Sequence, residues 1–289
     1  DTAKYVKECE YDTTIGEIQK SMLKFADKPC LGYRKMKNEN DAEDKYTWFK
    51  FSEISKLSEK ISKSIFLNNL YEEKTFEDQE GKWKIVGIFA RNCVEWVVTD
   101  LACQMNDVTS VTFYATLGAE SFDHIFSQTE VSTVFVSPEN ISKLAEYHKK
   151  YNFKSLKNVV IFDFTLDLTA NKKDIAALEN LNLKILYFSN LVKDEIKEEV
   201  KLTPARPDSY LTLCYTSGTT SLPKGAMLTQ RGFISQKCFN EDANLHLNEN
   251  DVVLSYLPMA HVLERLNVFI MMASGVRLGF ITGLDIKKW

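Results

Sequence analysis

The sequence predicts an α/β fold in which parallel-rich sheets are covered by helices. Between residues 83 and 188, short apolar strands alternate with helical stretches of about 10–12 residues, which is typical of a parallel sheet. Ahead of this region, Ile54, Leu57, Ile61 and Ile65 recur at helical spacing and predict an amphipathic helix from about Phe51. The chain has 289 residues, of which 44% are hydrophobic, so a sizeable core can form.

The predicted elements follow one another in a regular order. The predicted strands are 84–90, 108–114, 131–136, 158–162, 183–188, 210–215 and 226–228. Asn92 is the predicted cap of a helix that ends near Met105, and further helices are predicted at 118–128, after Pro138 and after a cap at Thr229. Residues 35–45 are predicted to be an exposed turn or loop, 71–82 a polar linker and 163–180 a soluble excursion.

These elements predict a division of the chain into three parts. Residues 1–82 form an N-terminal extension with the first helix, 83–202 a first α/β sublobe, and 203–289 the start of a second sublobe. No internal repeat or low-complexity tract is present.

Composition excludes several classes of function. The net charge of −4 argues against a general nucleic-acid-binding surface. The six cysteines form no C-x-x-C pair, so a structural zinc site is not predicted, and apolar surroundings suit reduced intracellular thiols. No apolar window of about 18 residues is present. The chain starts at Asp1, so we expect that its N-terminus was processed or trimmed.

Residues 215–225 (YTSGTTSLPKG) have the chemistry of a phosphate-binding loop. Hydroxyls and a glycine offer short donors and close backbone approach, and successive backbone N–H groups can form an anion-binding nest. Lys224 adds a compact cation, and the hydroxyl of Thr216 can face a magnesium ion held by the phosphates. The alternative from the residues alone is a Ser/Thr-rich surface turn. The Walker A pattern fails, because Pro223 stands where its second glycine is required.

This loop resembles the signature of the adenylate-forming superfamily, and other segments resemble its long-chain acyl-CoA synthetases. Residues 256–265 (YLPMAHVLER) resemble the second conserved segment of that branch. Four further segments resemble it in consistent order: 30–34 (CLGYR), 86–92 (VGIFARN) with Glu95 and Trp96, 114–118 (YATLG), and 275–280 (GVRLGF).

The resemblance implies ATP-dependent activation of long-chain fatty acids to acyl-CoA through an acyl-adenylate, with ATP, Mg²⁺ and CoA as the cofactors. It implies that Lys224 and His261 are catalytic and that Thr216 faces the metal. The implied nucleotide-binding residues are Thr216, Ser217, Gly218, Thr219, Thr220, Lys224, Gly225 and His261. Glu264 and Arg265 either support this segment or form a structural ion pair. Trp96, Phe113 and Tyr114 are predicted core residues, and the other histidines, His124, His148 and His246, are assigned no chemical role.

Two positions depart from the family pattern. Ser221 stands where the family usually has glycine, and Ala115 where it usually has aspartate. The C-terminal domain with its catalytic lysine is absent from these residues, so the 289 residues by themselves are predicted not to complete acyl-CoA synthesis. The alternatives are an inactive accessory subunit of a larger assembly and a nucleotide- or acyl-sensing module. The resemblance also implies peripheral contact with endoplasmic reticulum, mitochondrial or peroxisomal membranes.

Overall fold

The computed structural model describes residues 12–38, 41–42, 45–77, 81–196, 199–216, 222–242 and 246–281. Its strands are β1 (Pro29–Tyr33), β2 (Met36–Asn38), β3 (Asp41–Ala42), β4 (Thr47–Lys50), β5 (Glu73–Lys74), β6 (Trp83–Phe89), β7 (Thr109–Thr112), β8 (Thr133–Val136), β9 (Asn158–Ile161), β10 (Lys184–Tyr187), β11 (Tyr210–Thr216), β12 (Lys224–Thr229), β13 (Val252–Ser255) and β14 (Arg277–Phe280). Its α-helices are α1 (Thr14–Lys24), α2 (Phe51–Leu67), α3 (Val94–Gln104), α4 (Ala119–Thr129), α5 (Ile141–Tyr151), α6 (Lys172–Glu179), α7 (Phe188–Lys193), α8 (Gln230–Asp242) and α9 (Val262–Ala273).

The larger sheet of the described chain has eight strands. Its order is β10-β9-β8-β6-β7-β11-β12, and β5 pairs with the start of β6. The pairs from β10 to β11 are parallel, whereas β12 returns antiparallel to β11. Because parallel neighbours need crossover connections, the helices between these strands cover the sheet.

Side chains alternate across this sheet and fill two cores. Val86 and Ile88 of β6 enter one core, whereas Ile85 and Phe89 enter the other. This is the two-residue period of a strand buried on both faces. Helices α4, α5 and α6 contribute to the second core, while α2, α3, α8 and α9 contribute to the first.

A second sheet brings distant parts of the chain together. Its order is β13-β14-β1-β4, with β1 parallel to β14 and antiparallel to β4. Leu31 pairs with Leu278, and both are fully buried in the first core. That core also holds residues of α2, α3 and α9, so these helices lie between the two sheets. Among the described residues, no helix is long and apolar enough to cross a membrane.

The structure confirms the predicted fold class and most of the central elements. The helix predicted from Phe51 is α2, and the predicted strands of the parallel sheet are present with ends shifted by a few residues. Thr229 Oγ1 accepts a hydrogen bond from the N–H of Gly232 (3.1 Å), which confirms it as the cap of α8.

Other local predictions were wrong. Cys93, not Asn92, is the N-cap residue of α3. The predicted excursion at 163–180 contains α6, and the predicted loop at 35–45 contains the paired strands β2 and β3 in its described part. Helix α1 and the strands β1 and β4 were not predicted. The division at residue 203 stays a prediction, and the sheets do not follow it, because β11 and β12 belong to the eight-stranded sheet.

Candidate active site

Loops that follow several parallel strands meet at one edge of the larger sheet. The strands β6, β7 and β11 run parallel and are neighbours, so their carboxyl ends lie side by side. Asn92 follows β6, Tyr114 follows β7, and Thr216 ends β11. Ligands of open α/β sheets bind at this edge, beyond the carboxyl ends of the strands.

The predicted phosphate-binding loop joins the two strands of an antiparallel hairpin. In the hairpin, Thr216 pairs with Lys224, and Tyr215 pairs with Gly225. Thr216, Lys224 and Gly225 are all exposed. The hairpin therefore presents a hydroxyl and an ammonium group opposite each other where the loop begins and ends. Five loop residues with predicted or noted roles lie outside the described residues: Ser217, Gly218, Thr219, Thr220 and Ser221.

Gly225 lies at a crowded position inside this hairpin. A Cβ atom at this position would lie 3.0 Å from the Cζ atom of Tyr215. The ring of Tyr215 is almost fully buried, and burial raises its pKa to about 12. Its hydroxyl donates a hydrogen bond to Oε1 of Gln128 (3.0 Å). The aromatic ring thus supports the backbone where the loop re-enters the sheet.

His261 is the N-cap residue of α9. Its backbone is extended, and its Nδ1 accepts a hydrogen bond from the N–H of Leu263 (3.2 Å). An accepting Nδ1 leaves the ring proton on Nε2, so that nitrogen can donate to an anion. The side chain is exposed and the ring of Tyr114 stands edge-on to it, with centroids 6.4 Å apart. The positive end of the helix dipole also favours negative charge here.

Asn92 holds the segment that leads to His261. Its Oδ1 accepts a hydrogen bond from the N–H of Met259 (2.8 Å), and its Nδ2 donates to the carbonyl of Leu257 (2.6 Å) and to Oγ of Ser255 (2.9 Å). This explains why Asn92 does not cap α3. Sequence reasoning missed this role, because the partners lie far along the chain and leave no local pattern.

The segment that leads to His261 is also hydrogen-bonded to strands of the larger sheet. The carbonyl of Ala260 accepts hydrogen bonds from Oγ1 of Thr112 (3.1 Å) and from Sγ of Cys214 (3.6 Å). Thr112 ends β7, and Cys214 lies two residues before Thr216 on β11. The structure therefore brings His261 next to the strand that enters the predicted phosphate-binding loop.

Glu264 and Arg265 do not form an ion pair with each other. Glu264 accepts a hydrogen bond from Oγ of Ser255 (2.6 Å), whereas Arg265 pairs with the buried carboxylate of Asp100. Burial raises the pKa of Asp100, and the guanidinium of Arg265 opposes that rise. Arg265 also donates to Oγ of Ser110 (2.8 Å), so this pair anchors α9 to α3 and β7.

The other residues assigned in the sequence occupy varied positions. Trp96 and Phe113 are buried, as predicted, but Tyr114 is only half-buried and faces His261. The carbonyl of Ala115 accepts a hydrogen bond from Nζ of Lys143 (2.5 Å). Among the described residues, no group of three or more acidic, histidine or cysteine side chains could hold a metal ion.

The fold, with its candidate site at the carboxyl ends of the parallel strands, defines an adenylation-type domain. The comparisons with known proteins agree. The chain matches the family described as AMP-binding enzyme over residues 19–288. It therefore belongs to the AMP-binding enzyme family. It is 33% identical over 283 residues to long-chain-fatty-acid–CoA ligase 5 of Rattus norvegicus, covering 95% of this chain and 38% of the relative. The chain thus spans less than half the length of this curated relative.

Solved structures show the same fold. The adenylation domain of a carboxylate reductase from Mycobacterium chelonae superposes with a TM-score of 0.78 at 18% identity, over 98% of this chain and 44% of that one. The corresponding domain from Segniliparus rugosus, solved with AMP and a co-purified carboxylic acid, gives 0.77 at 18% identity, over 98% and 47%. These likenesses confirm the N-terminal adenylation-domain fold.

Proposed function

We propose that this chain is the part of a long-chain fatty acid–CoA ligase that binds ATP and activates the fatty acid. The observation that carries the proposal is the hairpin that presents Thr216 and Lys224 beside the segment bearing His261. Membership of the AMP-binding enzyme family and the fatty-acid ligase relative support it. The roles of the individual residues are part of the proposal.

In the proposed reaction, a carboxylate oxygen of the fatty acid attacks the α-phosphorus of ATP, and pyrophosphate leaves. The transition state carries spread negative charge, so positioning and charge neutralisation account for most of the catalysis. Lys224 is exposed, and no described acidic side chain forms an ion pair with it, so its ammonium group is available to the phosphates. His261 offers its Nε2–H to the carboxylate or to the adenylate.

The loop residues complete the proposed nucleotide site. Ser217, Gly218, Thr219 and Thr220 would surround the phosphates with hydroxyl and backbone donors. Thr216 would hold Mg²⁺, which supplies further charge neutralisation when it is bound together with the phosphates. The exposure of Thr216 and the absence of a described metal-ligand cluster fit an ion that is held mainly by phosphate oxygens.

The second half of the proposed reaction uses CoA. Its thiol sulfur attacks the acyl carbon of the acyl-adenylate, AMP leaves, and the thioester forms. This step, a peripheral membrane contact and a place in a larger assembly are proposals for the whole ligase. We also propose that the whole ligase acts at the surface of endoplasmic reticulum, mitochondrial or peroxisomal membranes.

Two measurements test the proposal. Calorimetry should detect ATP binding to this chain, and palmitate should stimulate the exchange of labelled pyrophosphate into ATP by the intact ligase. Loss of a charge-assisted contact of about 1.5–3 kcal/mol predicts that Lys224→Ala weakens ATP binding about 10- to 150-fold. Lys173→Ala removes another exposed lysine, from α6, and serves as the control.

Unchanged ATP affinity and exchange rate in Lys224→Ala would show that the proposed role of the loop is wrong. ATP binding without palmitate-dependent exchange in the intact ligase would favour the sensing module. Absence of both would favour the accessory subunit.

A further inference from the structure

Helix α4 contacts the phosphate-loop hairpin on both sides of the loop, through two side chains of one helix face. His124 and Gln128 are four residues apart, so they are neighbours on the helix surface. His124 Nε2 lies 3.1 Å from the carbonyl oxygen of Pro223, and Gln128 Oε1 accepts a hydrogen bond from the hydroxyl of Tyr215 (3.0 Å). One contact reaches the end of the loop and the other reaches the strand before it.

The contact with Pro223 determines which atom donates the hydrogen bond. A carbonyl oxygen only accepts, so Nε2 of His124 carries a proton in this contact. Both the neutral Nε2–H tautomer and the imidazolium satisfy this requirement. Pro223 is buried and directly precedes Lys224, so its carbonyl needs a partner and its position sets where Lys224 begins.

The contact with Tyr215 acts on the opposite strand. The buried ring of Tyr215 lies against Gly225, its cross-strand partner. Holding the hydroxyl of Tyr215 therefore also fixes the backbone at Gly225. Gln128 is exposed, whereas His124 is only partly exposed, so we expect this hydrogen bond to compete more with water and to contribute less than the contact of His124.

The hairpin is held from both faces of the sheet. Leu213 and Tyr215 belong to the core that α4 covers, whereas Cys214 bonds the carbonyl of Ala260 in the segment of His261. Successive residues of a strand face opposite sides, which agrees with this arrangement. Helix α4 is thus the support of the hairpin on the side away from His261.

We propose that His124 and Gln128 are positioning residues that fix Thr216 and Lys224, at the two ends of the phosphate-binding loop, for the β- and γ-phosphates of the nucleotide. Neither residue touches the nucleotide in this proposal. They act by holding Pro223 and Tyr215, so that Lys224 and Thr216, which follow them along the chain, are already in place when the phosphates bind. The inference rests on the proposed nucleotide site, because it assigns the supports of that same loop.

The test compares nucleotides that differ in their phosphates. In calorimetry with the full chain, His124→Ala should weaken ATP binding about 3- to 10-fold and leave AMP binding within about two-fold of wild type. His124→Gln keeps a side-chain N–H donor and should restore ATP binding to within about two-fold. Gln128→Leu should show a smaller, ATP-selective loss, and His246→Ala changes an exposed histidine as the matched control.

Hydrogen exchange provides a second measurement that needs no nucleotide. Without ligand, His124→Ala should speed amide exchange in a peptide covering residues 215–225 and leave a peptide covering 83–92 unchanged. Equal loss of ATP and AMP binding, no rescue by His124→Gln, or unchanged exchange at 215–225 would each overturn the positioning role. Wild type that binds neither nucleotide would instead refute the proposed function.

Discussion

The buried pair of Asp100 and Arg265 gives the sharpest stability prediction. Both side chains are almost completely buried, and two nitrogens of the guanidinium bond the carboxylate. We expect Asp100→Asn to destabilise the chain, because it leaves the guanidinium charged, buried and without an ionic partner. Asn has nearly the same shape as Asp, so the effect reports charge rather than volume.

The expected loss of stability in Asp100→Asn follows from the contacts that Arg265 would keep. Removing one partner of a buried ion pair costs about 3–5 kcal/mol. Arg265 would keep its hydrogen bond to Ser110 and its position over the rings of Trp96 (5.3 Å) and Phe233 (5.9 Å). These cation–π contacts are worth about 0.5–2 kcal/mol each. We therefore expect a loss near the lower limit, about 3 kcal/mol.

Urea denaturation followed by circular dichroism measures this loss as a change in the free energy of unfolding. The double variant Asp100→Leu, Arg265→Met replaces the pair with apolar groups and should lie within about 2 kcal/mol of wild type. A loss below about 1 kcal/mol in Asp100→Asn would refute the reasoning. So would a double variant whose loss equals the sum of the losses measured for Asp100→Leu alone and Arg265→Met alone.

Three further predictions concern the site and its supports. Asn92→Ala removes three hydrogen bonds and should lower the free energy of unfolding by about 3 kcal/mol in urea denaturation. Gly275→Ala should cost about 2–4 kcal/mol in the same assay, because φ is +82° and the new Cβ would lie 2.8 Å from the ring of Phe25. The folded chain holds the phenol proton of Tyr215 more tightly than the unfolded chain, since burial raises its pKa to about 12. The stability from this shift is complete below about pH 10 and is lost as the pH rises toward 12. The advantage of wild type over Tyr215→Phe should therefore shrink between about pH 10 and 12.

A different result would contradict each of these three predictions. A fully stable Asn92→Ala would mean that the segment before His261 is held without the asparagine. A neutral Gly275→Ala would mean that Phe25 moves at no cost. A stability difference for Tyr215→Phe that is constant with pH would mean that the phenol titrates alike in both states.

The sequence predicted those features that depend on neighbouring residues. The parallel strands are continuous apolar runs, such as Val159, Val160 and Ile161, and these stand out because both faces of the sheet are buried. Helix α2 was found from its spacing alone. The two strands that flank the predicted phosphate-binding loop are predicted because strand-forming residues stand on both sides of a run of hydroxyls and glycine, whereas their antiparallel pairing comes from the structure.

The missed features depend on partners that are remote in the chain. Strand β4 is only partly buried, and β1 is completed by β14, so neither has a strong local pattern. Asn92 has the residue type of a helix cap, but its amide is engaged by residues 255–259. His124 was assigned no role, because its contact with Pro223 depends on how α4 packs against the hairpin.

The placement of β1 also has a consequence for biosynthesis. Leu31 is synthesised well before Leu278, its neighbour in the sheet. At 5–20 residues per second, the interval is roughly 10–50 s. The parallel strands between β6 and β10 can pair within this interval, but β1 has only β4 beside it. The apolar edge of β1 is therefore exposed in the nascent chain, and chaperones that bind extended apolar segments would meet it there before β14 arrives.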